Sequence, residues 1–317
     1  MKIIVTGAAG FIGFHLIKKL IQKRNIQVLG IDSVNNYYST KVKKFRIKIL
    51  SKNKKFFFER ANLQNKKKTE SILKSFLPDA VYHMAGQPGV LYSFKDPISY
   101  KKNNIEATKN LSILCKKYNV KKFIFASSSS VYGDQKKFPI LEKAKTNPKN
   151  YYAKTKLSCE KIIKTTFMKS NTEFMIFRFF TVFGPLGRPD MFIHKFLNSI
   201  KNKKKIFLHN NGLNYRDFTY IDDLIKILIL TLKKFPKDKL LNICRSKPIK
   251  TNNLLNLITK IYGNNTNKIV NTGFVKGEML KTHGSNSLLK KNFKNLKFTN
   301  LDFGLKKTIT AYKKYNF

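Results

Sequence analysis

The sequence predicts an α/β fold in which a doubly wound parallel sheet is followed by a smaller C-terminal lobe. Three observations lead to this prediction. Short runs rich in β-branched residues alternate with helix-periodic segments as far as residue 180, a glycine-rich turn joins the first run to the first helical segment, and the order of elements becomes less regular beyond that residue.

The alternating part of the chain is assigned from residue patterns. The segments with strand character are 2–6, 27–32, 55–59, 80–84, 122–127 and 174–179. The segments with helical character are 11–23, 69–76, 103–118 and 151–169. Strands that alternate with helices need crossover connections, so these strands are expected to run parallel.

The region beyond residue 180 has a different organisation. Loops rich in Gly, Pro and Asn at 184–190 and 209–214 flank a strongly apolar helix predicted at 222–232, and the tail from 251 mixes short helices with polar loops. We therefore divide the chain at 180/181, and we expect some segments of 181–317 to return to the first part.

The composition indicates a globular protein with an unusual charge. Of the 317 residues, 42% are hydrophobic, and the formal net charge is +47. The lysines are scattered and no aromatic residues are interleaved with them, so we expect no specific nucleic-acid binding. A basic surface would also attract a small anion.

Cysteine usage and hydropathy bear on location. Cys115, Cys159 and Cys244 include no CxxC pair, which argues against a disulfide framework or a zinc site and fits a reducing compartment. No uninterrupted apolar run reaches the roughly 20 residues of a membrane span, and the N-terminal stretch lacks a cleavage-like site. We expect a cytoplasmic protein that neither enters a membrane nor holds a metal.

The glycine turn carries the first chemical signal. Gly7, Gly10 and Gly13 lie between a predicted strand and a predicted helix, where glycine lets the backbone approach a pyrophosphate at the helix N-terminus. Asp32 ends the next strand, where it can accept hydrogen bonds from an adenosine ribose and would repel a 2′-phosphate. No arginine follows closely, so a Rossmann-type domain that binds NAD is predicted for 1–180, with a substrate lobe in 181–317.

A second signal lies on the predicted helix 151–169. Tyr152 and Lys156 are four residues apart and share a helix face, where an ammonium favours the deprotonated phenol. Such a tyrosine can exchange a proton with a sugar hydroxyl. Ser128 ends a predicted strand, where it can hydrogen-bond the same hydroxyl. These three residues are the predicted catalytic group.

Several motifs in order resemble one known family over essentially the whole chain. They are GAAGFIG (7–13), YHMAGQPGVLYSFKDP (82–97), NNIEATKNL (103–111), FASSSSVYG (125–133), YAKTK (152–156), RFFTVFGPLGRPDM (178–191) and RDFTYIDD (216–223). Together they resemble the extended short-chain dehydrogenase/reductases, the NAD-dependent epimerase/dehydratase family, and most of all its UDP-glucuronate 4-epimerases.

This resemblance implies two sets of site residues besides the catalytic group. The cofactor set is Gly7, Gly10, Phe11, Ile12, Gly13, Asp32, Asn62, Leu63, Ala85, Gly86, Asn104, Tyr152 and Lys156. The substrate set, for a UDP-sugar, is Ser128, Ser129, Thr181, Arg188, Arg216 and Glu278. At two positions the chain departs from the family: Asn62 stands where relatives usually have an aspartate, and Glu278 stands where an aspartate is usual.

The resemblance also implies a reaction, in which Tyr152 deprotonates the C4 hydroxyl and NAD accepts the C4 hydride, giving a 4-keto sugar. Thr181 stands where relatives that act on neutral UDP-hexoses carry asparagine, and residues 129–131 lack the acids usual in dehydratases. UDP-glucuronate is therefore the favoured substrate.

The alternatives are a UDP-glucose or UDP-N-acetylglucosamine 4-epimerase and, from another class, a basic NAD-sensing or nucleic-acid-binding protein. The family also implies a homodimer, and such an isomerase would serve polysaccharide biosynthesis.

Overall fold

The computed structural model of the protein describes residues 1–263, 267–275 and 277–315. Its strands, numbered along these residues, are β1 Lys2–Thr6, β2 Gln27–Asp32, β3 Phe56–Arg60, β4 Ala80–His83, β5 Lys122–Ser128, β6 Glu173–Phe179, β7 Thr181–Phe183, β8 Ile206–His209, β9 Tyr215–Arg216, β10 Phe218–Tyr220, β11 Leu240–Ile243, β12 Ile249–Lys250 and β13 Ile269–Thr272.

The helices pack on both faces of the main sheet and form much of the smaller lobe. They are α1 Phe11–Leu20, α2 Thr40–Leu50, α3 Lys66–Phe76, α4 Tyr92–Lys95, α5 Pro97–Tyr100, α6 Ala107–Lys117, α7 Tyr151–Phe167, α8 Phe192–Lys201, α9 Ile221–Lys233, α10 Thr251–Tyr262, α11 Ser287–Asn292 and α12 Leu301–Tyr315. A π-helical turn, Lys101–Glu106, leads into α6, and short 3₁₀ turns cover Ser129–Tyr132 and Asn210–Gly212.

A parallel sheet with the order β11-β6-β5-β4-β1-β2-β3 forms the centre of the protein. Its inner strands are buried on both faces: Ile3, Ile4 and Val5 of β1 are fully buried. Such continuous apolar strands are typical of parallel sheets covered by helices. The order reverses between β1 and β4, and this switch point opens a crevice at the carboxyl ends of the strands. The predicted doubly wound Rossmann-type fold is confirmed.

The predicted strands agree with the structure to within one residue at each end. The helices differ more. The helix α1 ends three residues before its predicted end at 23, and α3 begins three residues before its predicted start at 69. The predicted helix 103–118 begins as a π-helical turn at Lys101, because the first turn widens before α6 continues. The helix α2 was not predicted at all, although it contributes the buried side chains of Lys43 and Arg46. A segment in which basic residues face inward gives no clear apolar periodicity.

Segments from beyond residue 180 contact the main sheet. The strand β11 extends it by pairing with β6, and Tyr82 of β4 donates a hydrogen bond to the Leu228 carbonyl of α9. The two lobes therefore share one hydrophobic core, and the division at 180/181 remains a prediction. Within the described part of the chain, no helix combines the length and the hydrophobicity of a membrane span.

A buried histidine fixes the end of β4 beside β1. The Thr6 hydroxyl accepts a hydrogen bond from the Ala85 amide at 3.2 Å and lies 2.8 Å from His83 Nδ1. On the other side of the ring, His83 Nε2 lies 2.9 Å from Thr108 Oγ1. Burial, with a smaller effect of Lys156, lowers the pKa of His83 to about 3, so the ring is neutral.

This histidine should make the protein less stable in acid. Its folded-state pKa lies below the ordinary value of 6.5, so below that value the unfolded chain binds a proton that the native state excludes. Stability is fully present above the ordinary pKa and is lost as the pH falls. Between about pH 7.5 and about pH 5, His83 should contribute a loss of about 2 kcal/mol in the free energy of unfolding.

Urea unfolding at the two pH values measures this loss. His83→Gln should be less stable at neutral pH but should show a weaker pH dependence than the wild type. The control Thr108→Val removes the hydrogen-bond partner and keeps the titrating ring, so it should lose stability while its pH dependence stays. An unchanged pH dependence in His83→Gln would contradict the assignment.

Candidate functional site

A cleft of about 440 Å³ opens at the carboxyl ends of the strands. It is lined by nearly all of the predicted site residues: Gly7, Gly10, Phe11, Ile12, Gly13, Asp32, Asn62, Leu63, Ala85, Gly86, Ser128, Ser129, Tyr152, Lys156, Thr181, Arg188, Arg216 and Glu278. The fold thus brings together residues that are up to 271 positions apart in the sequence, from Gly7 to Glu278. Asn104 is the predicted residue that the cleft does not expose.

The glycine turn at one end of the cleft is closed by backbone contacts. Gly7 has φ +69° and donates its amide to Ile31 O at 2.8 Å. A Cβ on Gly7 would lie 2.8 Å from the Ala85 nitrogen, and a Cβ on Gly13 would lie 2.2 Å from Gly7 O. Side chains are therefore excluded at both positions, and the N-terminus of α1 is left open to an anion.

Asp32 stands at the carboxyl end of β2, beside the turn. Its two carboxylate oxygens accept hydrogen bonds from the Ala9 amide at 3.0 Å and the Val34 amide at 2.7 Å. These bonds hold the carboxylate at the cleft, where it can meet a ribose diol as predicted.

Lys43, from α2, is a cleft residue that sequence reasoning missed. Its ammonium donates to the Asn35 backbone carbonyl at 2.7 Å and to Asn35 Oδ1 at 2.6 Å. Burial lowers its pKa, and the charge of Asp32 opposes that effect. A cation therefore lies near Asp32 although no arginine follows it closely in sequence.

Asn104 lies behind the cleft wall, which differs from its predicted contact with the cofactor. It is buried in the π-helical turn, where Oδ1 accepts the Gln87 amide at 2.7 Å and Nδ2 donates to Thr155 Oγ1 at 2.9 Å. This amide ties the segment after β4 to α7. Asn104 therefore positions the cleft wall from behind.

The adenine end departs from the family pattern as the sequence indicated. Asn62 lines the cleft, and its Oδ1 accepts the Gln64 amide at 3.2 Å, which closes a local turn. An amide oxygen has a second lone pair, so it can still accept one bond from a ligand.

Tyr152 and Lys156 occupy the first turns of α7. The helix begins at Tyr151 because Asn150 caps it, accepting the Ala153 amide at 2.9 Å. Lys156 Nζ donates to Ala126 O at 2.8 Å and lies 4.8 Å from the Phe125 ring centroid. The ammonium is thus fixed at the end of β5, on the cleft side of the helix that carries Tyr152.

Ser128 ends β5 with its hydroxyl in the cleft. Its oxygen accepts hydrogen bonds from the Ser130 amide at 3.2 Å and from Ser130 Oγ at 2.8 Å. Since both contacts use the oxygen as acceptor, the Ser128 proton is available to donate to a ligand oxygen.

A buried ion pair anchors the strand end beneath Ser128. Ser127 donates its hydroxyl to Glu160 at 2.5 Å, and Arg178 donates to both oxygens of the same carboxylate at 2.9 and 2.7 Å. The pair joins β6 to β5 and α7, the two elements that present the predicted catalytic group. Loss of one partner would leave a buried charge uncompensated.

Arg188, on the substrate side, is held by an acid of its own loop. It donates to Asp190 through Nε at 3.0 Å and through Nη2 at 2.6 Å, and Tyr37 donates to the same carboxylate at 3.3 Å. Burial raises the pKa of Asp190, but the Arg188 charge outweighs that effect and leaves the pKa below its ordinary value. Asp190 therefore occupies one face of the guanidinium fork, and a ligand anion would have to compete with it or use the remaining N–H donors.

Arg216 and Glu278 face each other across the cleft from Arg188's loop. Arg216 Nη2 lies 3.4 Å from Glu278 Oε2, and Asn214 Nδ2 approaches the same oxygen at 3.4 Å. Burial lowers the pKa of Arg216, although Glu278 acts in the opposite direction. Glu278 therefore orients Arg216, the second cation of the predicted substrate set.

Comparison with known proteins identifies the family. Residues 3–244 match the NAD dependent epimerase/dehydratase family. The chain belongs to this family. A UDP-glucuronate 4-epimerase of Thermodesulfobacterium geofontis is 33% identical over 308 residues, 96% of this chain and 94% of that protein. Protein CapI of Staphylococcus aureus is 40% identical over 235 residues, 74% of this chain and 70% of that protein.

A solved structure is similar over the same extent. The crystal structure of UDP-glucuronic acid 4-epimerase from Bacillus cereus, in complex with UDP-glucuronic acid and NAD, superposes with a TM-score of 0.93. It is 32% identical, and 99% of each chain is covered.

The cleft of this epimerase/dehydratase family member fits its cofactor, NAD. The glycine turn has no room for side chains where a pyrophosphate would lie. Asp32 stands at the carboxyl end of β2, which is where such domains bind a ribose. Lys43 and Tyr37 also line the cleft, although the sequence did not predict them. They lie in the segment after β2, where two asparagines followed by two tyrosines at 35–38 were the one pattern that could have drawn attention to it.

Gly13→Ala should impair NAD binding. Because the added Cβ would overlap Gly7 O, the turn must shift, which should weaken NAD binding about tenfold or more and lower stability by about 1–3 kcal/mol. NAD extracted per purified chain and thermal melting measure the two effects.

Gly273→Ala is the matched control, since a Cβ there meets nothing within 4 Å. It should bind NAD as the wild type does. Normal NAD content in Gly13→Ala would argue against a pyrophosphate at this turn.

Proposed function

We propose that this enzyme interconverts UDP-glucuronate and UDP-galacturonate by inverting C4, with NAD as cofactor. The observation that carries the proposal is the convergence of Tyr152, Lys156 and Ser128 on one cleft whose other end is the glycine turn. A proton-transfer group and a dinucleotide site thus share one cavity. The relatives that cover nearly the whole chain include UDP-glucuronate 4-epimerases that are 32–33% identical to it.

The chain's own residues supply the proton chemistry. Tyr152 Oη takes the proton of the C4 hydroxyl, and the Lys156 ammonium, held by Ala126 O, stabilises the phenolate before that transfer. Ser128 donates its free proton to the same sugar oxygen and orients it. NAD, when bound, supplies reversible acceptance of the C4 hydride. Tyr152 returns the proton after the keto sugar has turned over in the cleft.

The carboxylate of a uronate needs a place that does not promote its loss, because a ketone β to a carboxylate favours decarboxylation. Ser128, Ser129 and Thr181 line one wall and offer small hydroxyl donors. Thr181 is fixed there because its amide donates to Asp217 O at 3.1 Å, at the start of β7. An asparagine at this position would occupy the carboxylate's space.

The anionic parts of the substrate meet two cations. Arg188 and Arg216 line the cleft, and each is already oriented by an acid, Asp190 or Glu278. We assign Arg216 to the diphosphate, and we assign Arg188 to an anionic group of the same substrate. The high positive charge of the chain would add attraction at longer range.

We also propose the cellular setting that the sequence suggested: a cytoplasmic homodimer that supplies an activated uronate for polysaccharide biosynthesis. The expectation of a dimer rests on the family resemblance of the sequence. Light scattering of the purified protein tests the dimer.

The assay that tests the activity follows products by proton NMR. UDP-glucuronate should give UDP-galacturonate, and UDP-glucose should give no product. UDP-galactose formed from UDP-glucose alone would favour the neutral-sugar alternative. Steeply salt-dependent binding to random duplex DNA, with no turnover of either sugar, would favour the nucleic-acid alternative.

Tyr152→Phe should lower kcat by about a thousandfold or more, because it removes the phenolic oxygen that we assign to take the proton. The variant should retain its bound NAD, since the turn and Asp32 are untouched.

The matched control is Tyr151→Phe. Tyr151 precedes Tyr152 on α7 but does not line the cleft, so turnover should stay close to that of the wild type. Substantial activity in Tyr152→Phe would contradict the mechanism.

Thr181→Asn should shift the substrate preference. The larger amide should raise KM for UDP-glucuronate about tenfold and improve relative turnover of UDP-glucose. Steady-state kinetics with both sugars measure the ratio, and an unchanged ratio would remove Thr181 from substrate recognition.

A further inference from the structure

Four successive backbone carbonyls that precede Arg188 are each held by a side chain from a distant part of the sequence or from the following helix. His194 Nε2 contacts Gly184 O at 3.3 Å, and His15 Nε2 contacts Pro185 O at 2.9 Å. Arg46 Nη2 donates to Leu186 O at 2.7 Å and to Gly187 O at 3.1 Å. We call residues 184–187 the carbonyl row; it leads directly to Arg188.

The three side chains come from three helices. His15 lies on α1, Arg46 on α2 and His194 on α8. Burial lowers the pKa of both His15 and His194 to about 4, so each is neutral and uses Nε2–H as a donor to its carbonyl. The row is also closely packed, because a Cβ on Gly187 would lie 2.4 Å from His194 Nε2.

Arg46 alone reaches from the carbonyl row to the glycine turn. Its other terminal nitrogen, Nη1, donates to Ala9 O and to the Tyr38 hydroxyl, each at 2.8 Å. Ala9 lies between Gly7 and Gly10 of the turn. One guanidinium therefore bonds to the backbone beside the NAD pyrophosphate site and to the backbone that carries Arg188.

The charge of Arg46 is unusual for so buried a group. Its side chain is 0% exposed, and among the described residues no carboxylate lies within ion-pair distance of it. The Nε atom has no hydrogen-bond partner. Four acceptors satisfy the terminal nitrogens, and Asp32 favours the charge only from beyond ion-pair distance, so burial still lowers the pKa of Arg46. An anion bound at the glycine turn would stabilise this charge further.

We propose that Arg46 is a positioning residue that couples NAD bound at the glycine turn to the placement of Arg188 for the UDP-sugar. Bound NAD would hold the glycine turn in place, and the turn holds Nη1 of Arg46 through Ala9 O. Nη2 of the same guanidinium holds the carbonyl row, and the row positions Arg188. By thermodynamic reciprocity, a ligand at Arg188 must strengthen the retention of NAD. This inference rests on the proposed function for the identity of its ligand, UDP, and it takes the diphosphate of UDP as the anionic group that meets Arg188.

The test measures NAD release from the purified holoenzyme with and without saturating UDP. UDP lacks the sugar and allows no turnover, so the result does not depend on epimerase activity. In the wild type, UDP should slow NAD release about tenfold. No slowing in the wild type would overturn the coupling, whether or not any variant folds.

Arg46→Lys keeps the charge but cannot hold both edges at once. It should release NAD about tenfold faster than the wild type and bind UDP about tenfold more weakly in calorimetry, and UDP should no longer slow NAD release. A purely structural role would lower the melting temperature and leave the factor by which UDP slows NAD release unchanged; that result would also overturn the proposal.

His194→Phe is the matched control on one side of the row. It removes the donor to Gly184 O and keeps a ring in place, without touching the glycine turn. NAD release without UDP should equal that of the wild type, and the slowing by UDP should become smaller. Faster NAD release in this control without UDP would contradict the assignment of Arg46 as the link.

Discussion

The close backbone approach between the glycine turn and the segment after β4 is the constraint on which the site depends. Gly7 turns with a positive φ directly against Ala85, where no side chain fits. This approach exposes the N-terminus of α1 and brings the ends of β1 and β4 to one edge. The crevice at this switch point is where a dinucleotide and the reacting sugar can meet.

The walls of the cleft are set by buried polar groups that act in pairs or rows. His83 joins β4 to β1 through Thr6, Asn104 joins the following segment to α7, and the Glu160–Arg178 pair joins α7 to β5 and β6. Each group satisfies its hydrogen bonds inside the protein, where an unpaired polar atom would be costly. The predicted catalytic group is therefore held by side chains that do not line the cleft.

The two ends of the cleft have different electrostatic designs. At the cofactor end, backbone amides and the α1 terminus face the anion, with Lys43 and Arg46 behind them. At the sugar-nucleotide end, arginines line the cleft and are already paired with acids of the chain. A substrate anion must compete with those acids, which favours ligands that offer two charged oxygens at once. This arrangement gives recognition without leaving exposed unpaired cations in the cleft.

The sequence by itself determined the strand order class, the glycine turn, Asp32 and the spacing of Tyr152 and Lys156, because each follows from local periodicity or a fixed offset. The tertiary structure alone decided the roles of α2 and the carbonyl row. Arg46 looks like one more basic residue in a basic chain, and its burial follows only from the packing of α2 against segments far away in sequence. Local patterns report which face of an element is apolar, whereas a buried charge is tolerated only where distant carbonyls converge on it.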